Sequence, residues 1–302
     1  MSFQNFSWPE IPDKTIHVYR LDKNHEVVSG NKFYKLQPWL LRAEVEKAAL
    51  LSCGGAFSNH LHALAYAGKQ HNIATYGLVR GLEPDSLTCT MLDCKAMGMQ
   101  LIPVSRKEYR QRYSAEFAKD QLESLNVHAL WVPEGGTTEA AVASCEQIGH
   151  EINRFSELHH FDSVWLAVGS GGTLAGIARS LRSDMPVFAV PVMRDWQQVK
   201  QRIAVYMTAE QRQRIQWIDH ADYGGFGRLN RESLAFHREL ESVSGIPFDP
   251  VYTSKLMRRM KELLLSRVLA VNAPLMIHTG GLQGRRTIES RLSLSAPGVE
   301  DI

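Results

Sequence analysis

Between Ala48 and Pro133 short apolar runs return at regular intervals, AALLSC, ATYGLV, MQLIPV and VHALWVP, separated by stretches of helical length with mixed polarity. Runs this short and this uniformly apolar predict strands buried on both faces, because a strand with one wet face would alternate. The intervening pattern predicts helices over 59–70, 86–97 and 107–124. A strand, helix, strand succession of this kind closes as a doubly wound α/β unit. After a turn at 134–138 a helix is predicted over 139–154, and then the pattern restarts. SVWLAV, VFAVPV and PLMIHT read as buried strands, with helices near 174–183, 196–206 and 254–269. The expected fold class is therefore α/β with two domains, each an open, mostly parallel sheet flanked by helices. The smaller domain is expected over 46–152 and the larger over 1–45 together with 153–302.

Composition changes this picture little. A chain of 302 residues with 44% hydrophobic content can bury two cores without staples. Thirty-four Lys and Arg against 32 Asp and Glu leave a formal charge of +2, which makes no electrostatic case for nucleic acid or an anionic membrane and points to a small-molecule or protein partner. The basic segment 194–217 reads as a solvated helical face. Cys53, Cys89, Cys94 and Cys145 are too few for a disulfide framework and none are spaced as CxxC, so a reduced, cytoplasmic setting is expected. The N-terminus has no basic region followed by an apolar run, and no stretch reaches the roughly 18 apolar residues of a membrane span, so a soluble, unprocessed protein is expected.

Two glycine-flanked segments carry the strongest chemical signal: SGNKFYKL over 29–36 and AVGSGGTLAG over 167–176. In the second, Gly169, Ser170, Gly171, Gly172 and Thr173 lie between a buried strand and a helix start, where backbone amides converge on an anion and two hydroxyls can add to them. The spacing is neither GxGxxG nor a Walker loop, so a dinucleotide or nucleotide is not indicated. In the first segment Lys32 and Lys35 share a helix face, and one cation makes its neighbour a better nucleophile, able to form a Schiff base. Residue logic alone leaves open which of the two is the nucleophile. A lysine pair together with a phosphate cradle is what an enzyme needs to hold pyridoxal 5'-phosphate. CGGAFSNHLHALA places Ser58, Asn59 and His60 at a helix start suited to a carboxylate. His60 and His62 are too close for the usual i, i+4 metal pair, and no metal is expected. Tyr252, in DPVYTSK, is a candidate acid or base, and Thr253 or Ser254 caps the helix that follows. Thr279 ends an apolar strand before two glycines, where open α/β sheets place ligand groups.

In order and spacing, GNKFYKL, GGAFSNH, VPEGGTTEAA, VGSGGTLAG, YGGFG, DPVYTSK and IHTGG resemble the family of 1-aminocyclopropane-1-carboxylate deaminase and D-cysteine desulfhydrase. These are fold-type II pyridoxal-phosphate enzymes, related more distantly to the tryptophan synthase β subunit. The resemblance spans nearly the whole chain. It implies that Lys32 carries the cofactor, with Lys35 the second lysine close by. Ser58, Asn59 and His60 match the loop that holds the substrate carboxylate, with Asn59 also at the cofactor and Ser58 among the catalytic groups. Gly169 to Thr173 match the phosphate loop, Thr279 a hydroxyl partner of the pyridine nitrogen, and Tyr252 the active-site tyrosine. Relatives of this kind commonly form homodimers.

The departures bear on the substrate. The deaminases of the family carry glutamate directly after the tyrosine and an apolar residue in the HxGG segment, where this chain has Thr253 and Thr279. A carboxylate would keep the pyridine nitrogen protonated and the ring a strong electron sink, which a hydroxyl does not. The expected reaction is accordingly a D-cysteine-desulfhydrase-like β-elimination on a small amino acid, giving pyruvate, ammonia and hydrogen sulfide, with 1-aminocyclopropane-1-carboxylate deamination as the alternative. Phe33 and Tyr34 stand where the family has Thr-Arg, Leu61 follows SNH where an arginine is usual nearby, and Phe226 replaces a tyrosine that commonly faces cofactor or substrate. These replacements also admit a cofactor-binding protein with little turnover, and an α/β module for another phosphorylated ligand would share the glycine loop.

Overall fold

The computed structural model describes residues 2–286 apart from positions 84, 86, 195, 226 and 228. Among the described residues ten strands form two sheets: β1 (Phe3–Phe6), β2 (Ile16–Arg20), β3 (Ala49–Gly55), β4 (Thr75–Arg80), β5 (Gln100–Val104), β6 (Ala129–Val132), β7 (Ser163–Val168), β8 (Val187–Pro191), β9 (Ile215–Trp217) and β10 (Pro274–His278). One sheet has the order β5-β4-β3-β6 and is wholly parallel. The other has the order β1-β2-β10-β7-β8-β9 and is parallel except where β1 pairs with β2. Every residue of β7, β8 and β10 is buried, which is the physical content of their unbroken apolar runs.

Among the described residues eleven α-helices flank the sheets: α1 (Asn31–Glu46), α2 (Asn59–His71), α3 (Cys89–Ala96), α4 (Arg106–Tyr109), α5 (Ala115–Ser124), α6 (Glu139–Ser156), α7 (Gly172–Ser180), α8 (Trp196–Ile203), α9 (Ala209–Gln213), α10 (Arg231–Ser244) and α11 (Thr253–Leu265). Their starts follow local chemistry. Ser58, Thr88, Ser114, Thr138 and Asn230 each accept a bond from a free amide of the first turn, and α1 and α2 end on left-handed Lys47 and Asn72. One apolar core lies between the six-stranded sheet and α6 and α7, and a second covers the opposite face of that sheet with Trp165, Phe248 and Met260. Two smaller clusters cover the faces of the four-stranded sheet.

The chain enters the six-stranded sheet with β1 and β2, builds the four-stranded sheet, and returns with β7 to β10, so α1 bridges from one sheet to the other. Three expectations change. The single helix over 107–124 is two, because Ser105 and Ser114 each cap a new start. The basic segment 194–217 is not one helix: it breaks into α8, a 3-10 turn, α9 and β9, with Val199 and Ile203 buried. β1, β2 and α10 have no counterpart among the predicted elements.

Candidate active site

The start of α1 is fixed from the far end of the chain. Gly30 takes φ +75°, and a Cβ there would lie 2.0 Å from the carbonyl oxygen of Thr279, so only glycine fits. That carbonyl accepts from the amide of Asn31 at 3.3 Å, and the Asn31 side chain donates to Thr173 Oγ1 at 2.8 Å. His278, fully buried at the end of β10, donates from Nε2 to the Pro247 carbonyl and accepts the Gly280 amide at Nδ1, which holds the 279–281 loop against α1.

One turn into α1, Lys35 is 1% exposed and donates to Thr137 Oγ1 at 2.8 Å and Ser170 Oγ at 3.0 Å. Among the described residues no carboxylate pairs with it. Burial, and after it the nearby Lys32 ammonium, bring its amine down to about 7. Lys32 stays half-buried, and loss of water around its amine brings it to about 8, opposed by Cys145 and Glu134. Among the described residues its Nζ has no hydrogen-bond partner.

The glycine loop runs from β7 into α7. Gly171 has φ +85° and abuts Val199 and Ile203 of α8, while a Cβ on Gly172 would lie 2.8 Å from Thr137 Oγ1 and 3.1 Å from Lys35 Cε. The amides that open α7 therefore face the same space as the Lys35 amine, and Thr137 Oγ1 and Ser170 Oγ lie 3.0 Å apart between them. A buried ammonium at the positive end of a helix, with only hydroxyls for partners, is an unbalanced arrangement that a bound anion completes. A phosphate group fits these residues.

The remaining expected residues close a circuit around that space. Ser58 accepts the Leu61 amide at 3.2 Å, so the amides of Asn59 and His60 precede the first bonds of α2. The Asn59 amide accepts from Gln283 at 2.6 Å and hydrogen-bonds Asp249, beside Gly281. Asp249 is buried, accepts from the amides of Val251 and Tyr252, and is raised by burial to about 7 against those bonds. The ring of Tyr252 packs beside Gly169, where a Cβ would lie 3.2 Å from Cε1. Burial first, then Asp249, Glu134 and Tyr113, push its phenol well up, so it is neutral at physiological pH. His60 is buried with its ring facing Gly136. Phe226 lies outside the described residues.

Two departures acquire a physical meaning. Thr253 is 0% exposed, and its Oγ1 donates to the Asp249 carbonyl at 3.1 Å and accepts the Asp249 amide at 2.9 Å, which commits the hydroxyl to the start of α11. Phe33 and Tyr34 turn into packing: Phe33 joins the apolar cores, and Tyr34 is buried with its hydroxyl toward Glu151. Thr137 and Asp249 were not singled out in the sequence, although the GGTT and DPVY segments contain them. Lys255 was also missed; it is buried and donates to the carbonyls of Asp222 and Gly225, pinning the YGG turn. Among the described residues no three His, Cys, Asp or Glu side chains converge as a metal site, and no helix is long and apolar enough to cross a membrane.

Two open α/β sheets, a lysine-bearing helix and an anion cradle at a strand-to-helix turn together define an enzyme site for a phosphorylated carbonyl cofactor. The chain belongs to the pyridoxal-phosphate dependent enzymes, whose family profile matches residues 11–280, and within them to the group of 1-aminocyclopropane-1-carboxylate deaminases and D-cysteine desulfhydrases. It is 31% identical over 284 residues to a Thermotoga maritima protein provisionally named a 1-aminocyclopropane-1-carboxylate deaminase, covering 89% of each chain. It is 27% identical to the bifunctional mitochondrial D-cysteine desulfhydrase/1-aminocyclopropane-1-carboxylate deaminase of Arabidopsis thaliana, over 91% of this chain and 75% of that one. A crystal structure of a 1-aminocyclopropane-1-carboxylate deaminase homologue superposes with a TM-score of 0.80 at 25% identity, covering 97% of this chain and 93% of the other. The cofactor of the family is pyridoxal 5'-phosphate.

Proposed function

We propose that the chain is a lyase that removes the β-substituent of a small amino acid, with D-cysteine as the favoured substrate and pyruvate, ammonia and hydrogen sulfide as products. The observation that carries this reading is Thr253, whose buried hydroxyl is bonded to the Asp249 backbone where the deaminases of the group have glutamate. No carboxylate is presented from that position to strengthen the electron demand of the ring, which favours loss of a good leaving group over opening of a cyclopropane.

Bound pyridoxal phosphate supplies a carbonyl for the amino group and an electron-poor ring that stabilises negative charge at Cα. In this reading Lys35, Ser170, Gly171, Gly172 and Thr173 hold the phosphate, with Thr137 extending the hydroxyl set. Lys32, brought near neutral pH, is the attachment point and, once released, the base for the Cα proton. Tyr252, held as a neutral phenol, can donate a proton to the departing group but is a poor base. The amides that open α2, with Ser58 and Asn59, take the substrate carboxylate. Thr279 offers its side chain beside the start of α1 as partner for the ring nitrogen. In this reading the chain divides into domains over 46–152 and over 1–45 with 153–302, and the site draws residues from both.

The test is incubation of the purified enzyme with D-cysteine, L-cysteine, D-serine derivatives and 1-aminocyclopropane-1-carboxylate, assayed for pyruvate and 2-oxobutanoate. Pyruvate from D-cysteine is expected. Release of 2-oxobutanoate from the cyclopropane substrate as the main activity overturns the reading.

A further inference from the structure

The start of α2 is anchored to the four-stranded sheet, since Ser58 Oγ caps the Leu61 amide and the buried ring of His60 is bonded through Nε2 to Ser52 Oγ of β3 at 2.9 Å. The side-chain amide of Asn59 is held separately, by residues late in the chain. Its Oδ1 accepts from Gln283 Nε2 at 2.6 Å. Its Nδ2 donates to Asp249, and a Cβ built on Gly281 would lie 2.5 Å from that Nδ2 and 3.0 Å from Asp249 Oδ2. Asp249 is 1% exposed, its Oδ1 accepts the amides of Val251 and Tyr252, and among the described residues no cation pairs with it. A buried carboxylate without a cation needs donors, so it selects the orientation of Asn59 that turns an N–H toward it. The flipped amide would set two acceptors face to face.

With its carbonyl oxygen committed to Gln283 and one N–H to Asp249, the Asn59 amide keeps a single N–H, on a side chain that is only partly buried. What it can offer a ligand is one donated hydrogen bond and nothing to accept one. We infer that Asp249 is a positioning residue that fixes Asn59 as a donor to an anionic oxygen of the bound ligand, with Gln283 holding the same orientation from the other end of the amide. The inference rests on the amino-acid and cofactor site proposed above and deepens it. Two oxygens there carry the required charge, the carboxylate of the amino acid and the ionised ring oxygen of the cofactor. The same Asp249 carboxylate holds the backbone amide of Tyr252, so one buried group sets both the donor amide and the segment that carries the phenol.

A double-mutant cycle on the holoenzyme tests this. Asp249→Asn keeps the size and an oxygen for the Val251 and Tyr252 amides but accepts either orientation of Asn59, because its own amide can also donate. The dissociation constant of alanine, which has no leaving group, is read for each enantiomer from the change in visible cofactor absorption, and that of the cofactor by equilibrium dialysis. At least one constant should rise about 5- to 20-fold in Asp249→Asn, and which one rises tells the amino-acid carboxylate from the ring oxygen. In an Asn59→Ala background the same substitution should change that constant by less than about twofold. Gln283→Met, at a half-buried position, should show the same dependence on Asn59 with a rise of about threefold, which keeps the test open if Asp249→Asn does not fold. Equal losses with and without the Asn59 side chain, as a purely structural role gives, overturn the inference, and so does no loss in either background. A wild type that binds no cofactor sinks the site proposed above and this inference with it, whereas additive losses in a protein that keeps its visible band sink this inference alone.

Discussion

Lys35 and Ser170 are 135 positions apart in sequence and meet at 3.0 Å, amine to hydroxyl, in a space where, among the described residues, no carboxylate pairs with the amine. This contact joins the lysine helix to the glycine loop. Its consequences reach both the pH dependence of the fold and the affinity for cofactor.

Lys35 and Lys32 are brought to about 7 and about 8 in the folded apoprotein from 10.5. Above those values the unfolded chain binds more protons than the folded one, so stability rises with pH from about 7 upward as the folded amines shed their charge. Inorganic phosphate, by holding Lys35 charged, should flatten this rise. Thermal melting of the apoprotein between about pH 7 and 8, below the midpoints of unfolded thiols and phenols, should show a positive slope that Lys35→Met reduces. A slope identical in the variant would contradict the assignment.

Replacing Lys35 by alanine removes a charged donor from the cradle. Cofactor affinity should fall about 10- to 100-fold, measured by equilibrium dialysis, with the overall fold retained in far-UV circular dichroism. Lys32→Ala should instead abolish the covalent visible band and reduce turnover by at least about 100-fold even with cofactor in excess.

Tyr252→Phe keeps the ring against Gly169 and removes only the hydroxyl. The visible cofactor band should persist while kcat on the best substrate falls about 100-fold. If the phenol donates to the leaving group, the loss should shrink for β-chloroalanine, whose leaving group needs no proton.

Thr253→Val removes a hydroxyl that bonds both the amide and the carbonyl of Asp249. Chemical denaturation should report a loss of about 1–3 kcal/mol, and the cofactor spectrum should barely change. A large spectral shift with unaltered stability would place the hydroxyl at the cofactor.

Gly30→Ala would put a Cβ 2.0 Å from the Thr279 carbonyl oxygen at a backbone φ of +75°. The expected cost exceeds about 4 kcal/mol in urea unfolding, far above an ordinary surface Gly→Ala change.

β3, β4, β7, β8 and β10 were legible because a strand largely buried on both faces leaves a solid apolar run, and SVWLAV coincides with β7 residue for residue; β5 and β6, half-exposed edges of the four-stranded sheet, were legible from MQLIPV and VHALWVP although they are not buried on both faces. The strands missed have diluted or brief patterns: FQNF in β1 is mostly half-buried, IHVYR in β2 is broken by His and Arg although it lies inside the sheet, and IQW in β9 has three residues. The two lysines and the glycine loop were legible as chemistry, since a phosphate cradle is written in local sequence. The roles of Thr137, Asp249 and Ser52 were not. Each acts through a partner far away in the chain, Thr137 through Lys35, Asp249 through Asn59 and Ser52 through His60, and no local pattern encodes such a meeting. The same limit left Phe33 and Tyr34 ambiguous until their side chains were seen in the core.

The Asn31 amide bonded to the Thr279 carbonyl also sets a schedule for synthesis. The helix bearing both lysines is translated about 250 residues before the backbone that seats its first turn. A nascent chain can complete the four-stranded sheet and still lack a finished cofactor pocket. If the proposed site holds the cofactor, its capture reports on a chain translated past β10, and products truncated ahead of β10 would have that pocket unformed.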